Sequence, residues 1–448
     1  MQIASTWNEL KRLFGLMIPI LITQFAQAGL GFIDTIMAGR FSSIDLAAIA
    51  VGVGIWLPVM LLFTGIILAT TPLVAEATGA KQRHQLAALV QHAMRLAAIL
   101  GLVAFVILQL MPLLLPWLKV PASLHPKASL FLHSIAFGLP AVCIYTVLRC
   151  YSEALGYPRP VTFLSLASLV VLVPLNYLFM HGIGPLPALG SAGCGIATAV
   201  LQWLMLLCLA TYISKASIYQ EDGIFSQWQP FSKALIQKVF FLGLPIGLAL
   251  FFEVSVFSMA AIIISVLGET VVAAHQIAIS ITSQLFTIPL SLGIALSIRV
   301  GTYYGEKNWA ALKQIQILGL ITAASMAFLI MAFLIVFKSE LTALYTDDAH
   351  VATITIYLLS FCVMYQLVDG LQMSASGCLR GMQDTKSPMW VTLFAYWGIT
   401  LPLSIYWIRF NGQGAEFIWI GLIIGLSIAC VLLLARLYYL NKTRLSNQ

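Results

Sequence analysis

Residues 240–267 read FFLGLPIGLALFFEVSVFSMAAIIISVL, an apolar run broken by a single charge, Glu253. At about 1.5 Å of rise per residue, such a run outlasts the roughly 30 Å hydrocarbon core of a bilayer and reads as a membrane-spanning helix. A carboxylate at that depth costs about 2.5–3.5 kcal/mol on insertion unless it is protonated or faces a wet interior. The rest of the chain has the same character: 60% of its 448 residues are hydrophobic and 9% are charged. Soluble domains carry about 25% charged residues, so a large soluble core is excluded and an integral membrane protein is indicated. The formal net charge of +7 does not point to nucleic acid, because the basic residues form short clusters between apolar runs, where they set orientation. The first apolar run is too long for a signal peptide core, so no cleavable leader is expected. Cys143, Cys150, Cys194, Cys208, Cys362, Cys378 and Cys430 all fall in apolar segments without a CxxC pair, and read as small buried hydrophobes.

Gly, Pro and charge punctuation divides the chain into about twelve spans, near 13–38, 46–77, 87–117, 127–152, 159–181, 190–213, 236–267, 271–303, 310–337, 349–379, 388–409 and 415–440. The longest connection, residues 214–235, contains Glu221-Asp222-Gly223 and Gln229-Pro230. It predicts a cytoplasmic linker between an N-terminal lobe, 1–213, and a C-terminal lobe, 236–448. With the N-terminus inside, eighteen of the 23 Lys and Arg face the cytoplasm, and Arg40, Lys119, Lys127, Lys338 and Arg409 remain outside. That bias puts both termini in the cytoplasm. The halves also repeat. Pro19 and Pro245 stand 226 residues apart, as do Ala47-Ala48 and Ala273-Ala274, and Gly79-Ala80-Lys81 and Gly305-Glu306-Lys307. Pro174 with Pro402 and Gly193 with Gly421 follow at 228. Six spans per half make both halves enter the membrane in one orientation, which implies a pseudo-two-fold axis along the membrane normal. The expected fold is all-α: twelve transmembrane helices in two six-helix lobes.

Three acids lie well inside apolar runs: Asp34, Glu253 and Asp369. Each has polar company at helical spacing. Gln27 precedes Asp34 by about two turns. Tyr365, Asp369, Gln372 and Ser376 make one stripe on the tenth span, and Gln276, Ser280, Ser283, Gln284 and Thr287 make another on the eighth. Interhelical hydrogen-bond glue explains one such acid as well as function does. Three acids with no Lys or Arg in mid-span must hold a proton or a cation, or await a cationic ligand. That is the chemistry of cation-coupled transport. His275 near the start of the eighth span reads as a satisfied structural histidine. Gly79-Ala-Lys81 lacks the GxxxxGK[ST] pattern of a phosphate loop, which favours an ion gradient over ATP as the energy source.

The run GFIDTIMAG at 31–39, FFE at 251–253, AAHQIAI at 273–279 and YQLVDG at 365–370 resemble the MATE family, multidrug and toxic compound extrusion, in its NorM-like bacterial branch. The resemblance implies a V-shaped antiporter of the bacterial inner membrane that expels cationic, lipophilic drugs and dyes in exchange for Na⁺ or H⁺. It assigns a C-lobe cation site, a candidate Na⁺ site, to Glu253, Tyr365 and Asp369, and an N-lobe site to Asp34 with Asn176 and Thr198. Some members carry a second N-lobe acid where this chain has Met180. Gln27, Asn176, Thr198, Gln276, Gln284 and Gln372 are the candidate substrate or cavity residues. No cofactor is expected beyond the coupling ion. The partners expected are small organic cations and membrane lipid, with no nucleic acid, and the protein is expected to be a monomer and not an enzyme. A lipid-linked precursor flippase of the same superfamily is the alternative, and would favour a basic cavity. A membrane-embedded enzyme would want HExxH or paired Asp-rich loops, which the sequence lacks.

Overall fold

The computed structural model describes residues 6–118, 120–182, 187–226 and 228–445; Lys119, counted above for orientation, lies outside them. Among the described residues, eleven helices are long and apolar enough to cross a membrane, and a bent pair makes a twelfth. They are α1 (Thr6–Phe41), α2 (Ser43–Gly79), α3 (Arg83–Leu114), α4 (Ala122–Ala136 and Leu139–Ala154), α5 (Arg159–His181), α6 (Ser191–Lys215), α7 (Lys233–Leu267), α8 (Glu269–Gly305), α9 (Trp309–Ala343), α10 (Ala349–Gly381), α11 (Lys386–Phe410) and α12 (Glu416–Thr443). The fold is nearly all helical, as the apolar runs require, because a helix satisfies its own backbone groups in lipid.

Polar residues start several of these helices. Ser42 accepts from the Ile44 N–H before α2, and Asn308 accepts from the Ala311 N–H before α9. Asp348 accepts from the His350 and Val351 N–H groups before α10. Each side-chain oxygen satisfies a donor that the first helical turn leaves free.

Residues 127–152, expected as one span, are bent by 42° inside α4. Pro140 explains the bend, since it offers no N–H to the carbonyl four residues earlier. Described residues of the 214–235 connection are hydrogen-bonded to α3 and α4. Gln91 donates to the Ile224 carbonyl at 2.8 Å and accepts from the Gln229 N–H at 2.9 Å. Arg95 donates to the Gln229 carbonyl, and the Ser232 N–H donates to His92 Nε2 at 2.7 Å. The Tyr151 hydroxyl donates to Asp222 Oδ2 at 2.5 Å.

The chain packs as two compact units, Ile22–Gly247 and Met1–Leu21 with Leu248–Gln448. These are called here the N-terminal and C-terminal units. Both boundaries lie inside a helix, α1 or α7, two residues beyond Pro19 and Pro245. The leading segment of α1 thus packs with the C-terminal unit, and that of α7 with the N-terminal unit. The repeat also appears in the backbone. Lys81 and Lys307, 226 residues apart, both take a left-handed conformation, with φ of 56° and 55°. Behind them the Gln82 N–H reaches the Ala77 carbonyl at 2.9 Å, and the Asn308 N–H reaches the Tyr303 carbonyl at 3.0 Å. The same six-residue closure thus ends α2 and α8.

Two glycine contacts set the helix spacing that positions the polar groups. A Cβ at Gly377 on α10 would stand 2.2 Å from the Gly293 carbonyl oxygen of α8. A Cβ at Gly193 on α6 would stand 2.2 Å from the Phe179 carbonyl oxygen of α5. In both places backbone meets backbone, as small residues permit between membrane helices.

Candidate functional site

In the N-terminal unit, α1, α5 and α6 bring Asp34, Asn176 and Thr198 together. Asn176 Nδ2 donates to Asp34 Oδ1 at 2.6 Å, and Thr198 Oγ1 donates to Oδ2 at 3.2 Å. Ala38, Ile49, Phe131, Ile135, Met180 and Cys194 pack as one apolar cluster in the same unit. Met180 is fully buried in that packing, so the position where some family members place an acid belongs to the core here. Gln27 faces an arginine: its Oε1 accepts from Arg149 at 3.4 Å, and Arg149 also pairs with Glu153 at 3.9 Å.

In the C-terminal unit, Glu253 of α7 and Tyr365, Asp369 and Gln372 of α10 are all buried, and Asp369 is 0% exposed. Neither oxygen of Asp369 has a hydrogen-bond partner among the described residues. Asp369 and Tyr365 both lie within electrostatic reach of Glu253. The α7 backbone is tied at this level, because the Trp397 indole of α11 donates to the carbonyl of Phe252, next to Glu253, at 3.3 Å. Gln276 and Gln284 are exposed, and Ser280 of the same stripe donates to the Tyr345 hydroxyl.

Two neighbours of this site escape a reading by residue spacing. Tyr396 is fully buried, has an unpartnered hydroxyl, and lies within electrostatic reach of both acids. It sits in a π-helical stretch, Leu393–Thr400, whose wider turns shift side chains off the 3.6-residue face that a regular helix presents. The Thr400 hydroxyl donates to the Ala395 and Gly421 carbonyls, both at 3.1 Å, and so satisfies backbone within and beside that stretch. Arg380, at the end of α10, is the second. It runs back along the helix to donate to Ser376 Oγ at 3.2 Å and Met373 Sδ at 3.3 Å. From there its charge acts on Glu253. The absence of mid-span Lys and Arg therefore does not leave Glu253 without a cation, because helical side chains lean toward the N-terminus and an arginine stem can lie along apolar surface.

Among the described residues, no group of three or more His, Cys, Asp and Glu is placed to hold a metal. Two carboxylates with nearby phenol oxygens suit a hard, weakly held cation better than a transition metal, which would seek nitrogen or sulfur.

Among the described residues, twelve apolar helices with Asp34 half-buried in one unit and Glu253 and Asp369 buried in the other mark a multi-pass membrane protein of the transporter type. A family model described as MatE matches this chain twice, over residues 19–178 and 245–406. The two matches begin at Pro19 and Pro245, at the repeat spacing. The chain belongs to that family, on its bacterial NorM branch. It is 61% identical over 447 residues to "Probable multidrug resistance protein NorM" of Acinetobacter baylyi, covering 100% of this chain and 99% of that one. It is 40% identical over 435 residues to "Multidrug resistance protein PmpM" of Pseudomonas aeruginosa, covering 96% and 91%. Its fold matches the crystal structure of the eukaryotic MATE transporter AtDTX14 with a TM-score of 0.88, at 20% identity and over 97% and 96% of the two chains.

Proposed function

We propose that this protein is a multidrug efflux transporter of the bacterial inner membrane, with both termini in the cytoplasm. It expels lipophilic organic cations in exchange for inward movement of Na⁺ or H⁺. The observation that carries this reading is Asp369: a buried carboxylate with neither oxygen partnered, beside Glu253. A bare carboxylate in hydrocarbon must take up a proton or a cation. Glu253 and Asp369 hold the coupling ion, Tyr365 shapes their site, and Asp34 is a second cation-responsive acid. Family membership and the names of the full-length relatives support the multidrug assignment. Exchange needs two conformations biased in opposite directions by ion and drug, and that coupling is reciprocal by thermodynamic linkage. Neither ATP nor a cofactor takes part, and the monomer is the working unit.

Reconstitution in liposomes with a fluorescent organic cation tests this directly. A Na⁺ gradient at clamped pH and a pH gradient at clamped Na⁺ are imposed separately. Dye movement under either gradient is expected, and which gradient drives it identifies the ion. If neither gradient moves a cationic dye, the reading is wrong.

A further inference from the structure

The acids are not the only bare polar groups in the C-terminal unit. His275 of α8 is 0% exposed, yet neither Nδ1 nor Nε2 has a hydrogen-bond partner among the described residues. The sequence suggests a satisfied structural histidine at this position, and the structure leaves it unsatisfied. A neutral imidazole has one N–H to donate and one lone pair to fill. Leaving both bare in a core is costly, and native interiors avoid it almost everywhere.

Other groups in this unit share the condition of His275. Its ring meets Trp419 of α12 edge-on, with centroids 5.7 Å apart, and Trp419 meets Tyr365 in the same way at 6.1 Å. Trp419 is fully buried with an unpartnered indole N–H. Gln366, next to Tyr365, has no partner at either amide atom, and the Tyr396 hydroxyl has none. Tyr365, Tyr396, Trp419 and the Ala274 beside His275 belong to one packed core. Ring contacts therefore link His275 through Trp419 to Tyr365, which lies within electrostatic reach of Asp369. The ligand that satisfies donors and acceptors together, within a packed core, is water, which typically makes about three hydrogen bonds when buried.

We propose that the core of the C-terminal unit contains a hydrated chamber bounded by His275, Trp419, Tyr365, Tyr396 and Asp369, which binds a chain of internal water molecules. The chamber itself stands apart from the transport reading. Its role in transport rests on that reading: the waters complete the oxygen shell of a cation held by Glu253 and Asp369, which two carboxylates and a phenol leave short.

Radiolytic hydroxyl-radical footprinting of the full-length protein in nanodiscs, in ¹⁸O-water, tests the chamber without any transport assay. Radicals formed from internal water label the side chains beside it. Tyr365 and Tyr396 are compared with Tyr151 and Tyr219, which are equally buried but hydrogen-bonded to Asp222 and Ser152. Tyr365 and Tyr396 are expected to take up ¹⁸O at least threefold faster. His275→Leu should bring them down to the reference rate, and His275→Gln, which keeps a donor and an acceptor, should not. Equal labelling of the two tyrosine pairs in the wild type overturns the proposal. Labelling unchanged by His275→Leu in a protein of wild-type thermal stability removes His275 from the chamber and overturns it as stated. A failure of cation transport would leave this readout untouched, so the two claims fail separately.

Discussion

The carboxylates of the two units differ in what their oxygens touch. Asp34 has a donor on each oxygen, Asn176 on one and Thr198 on the other. Asp369 has none on either. The first acid is completed by the fold, and the second is completed only by something the fold does not supply. Homologous units have thus arrived at unlike chemistry, and the proposed function assigns the coupling ion to the incomplete acid.

The comparison breaks most visibly in transport. Asp369→Asn is expected to cut gradient-driven dye efflux by about tenfold or more, equivalent to about 1.4 kcal/mol, while Asp34→Asn does less. Initial rates in the liposome assay check this, and the reverse ranking would move the coupling ion to the N-terminal unit. Stability should separate the sites by sign. Asp369→Asn removes a bare buried charge and should raise the melting temperature in detergent. Asn176→Ala strips a donor from Asp34 and should lower stability by about 1 kcal/mol. Arg380 sharpens the picture further. Its fixed charge competes with any cation at Glu253, so Arg380→Gln should lower the half-saturating ion concentration by about threefold, and Arg380→Lys should not. An ion titration of transport decides it.

Asp222, in the connection before α7, stands between the two extremes. Its Oδ2 accepts from Tyr151, while Oδ1 has only Arg83 at 3.9 Å. Burial raises its carboxyl above the usual range despite these partners. A raised acid contributes its stability below the unfolded value, about pH 4, and loses it as pH rises through the folded value. Asp222→Asn does not titrate, so its melting temperature should gain on the wild type between pH 4 and 7. A constant difference across that range would contradict this smallest of the expected effects.

Much of this was open to a reader of the chain. Long apolar runs gave the helices, because lipid leaves a backbone no other partner. Pro19 and Pro245 gave the repeat, and a charge inside an apolar run marked each of Asp34, Glu253 and Asp369. Asn176 and Thr198 came from the family likeness and not from spacing. What stayed hidden depends on backbone irregularity and on side-chain reach. The π-helical turns that carry Tyr396 leave no periodic trace. Arg380 lies at a span end by number but not by position. The bend in α4 follows from a Gly-Leu-Pro at 138–140 that reads equally well as a kink within one span. Gln366 falls off the stripe of Tyr365, Asp369 and Gln372, and its bare amide emerges only when the neighbouring helices are in place.

The backbone contact between Gly377 and Gly293 works at a distance. Gly377 lies eight residues beyond Asp369, about 12 Å along the helix. A single methyl group there would collide with a carbonyl and wedge α10 away from α8. The carboxylate would then be displaced by an atom that never touches it. The spacing around Asp369 is gauged by a missing side chain, so a silent-looking Gly→Ala change at that position belongs among the first suspects in any inactive variant of this transporter.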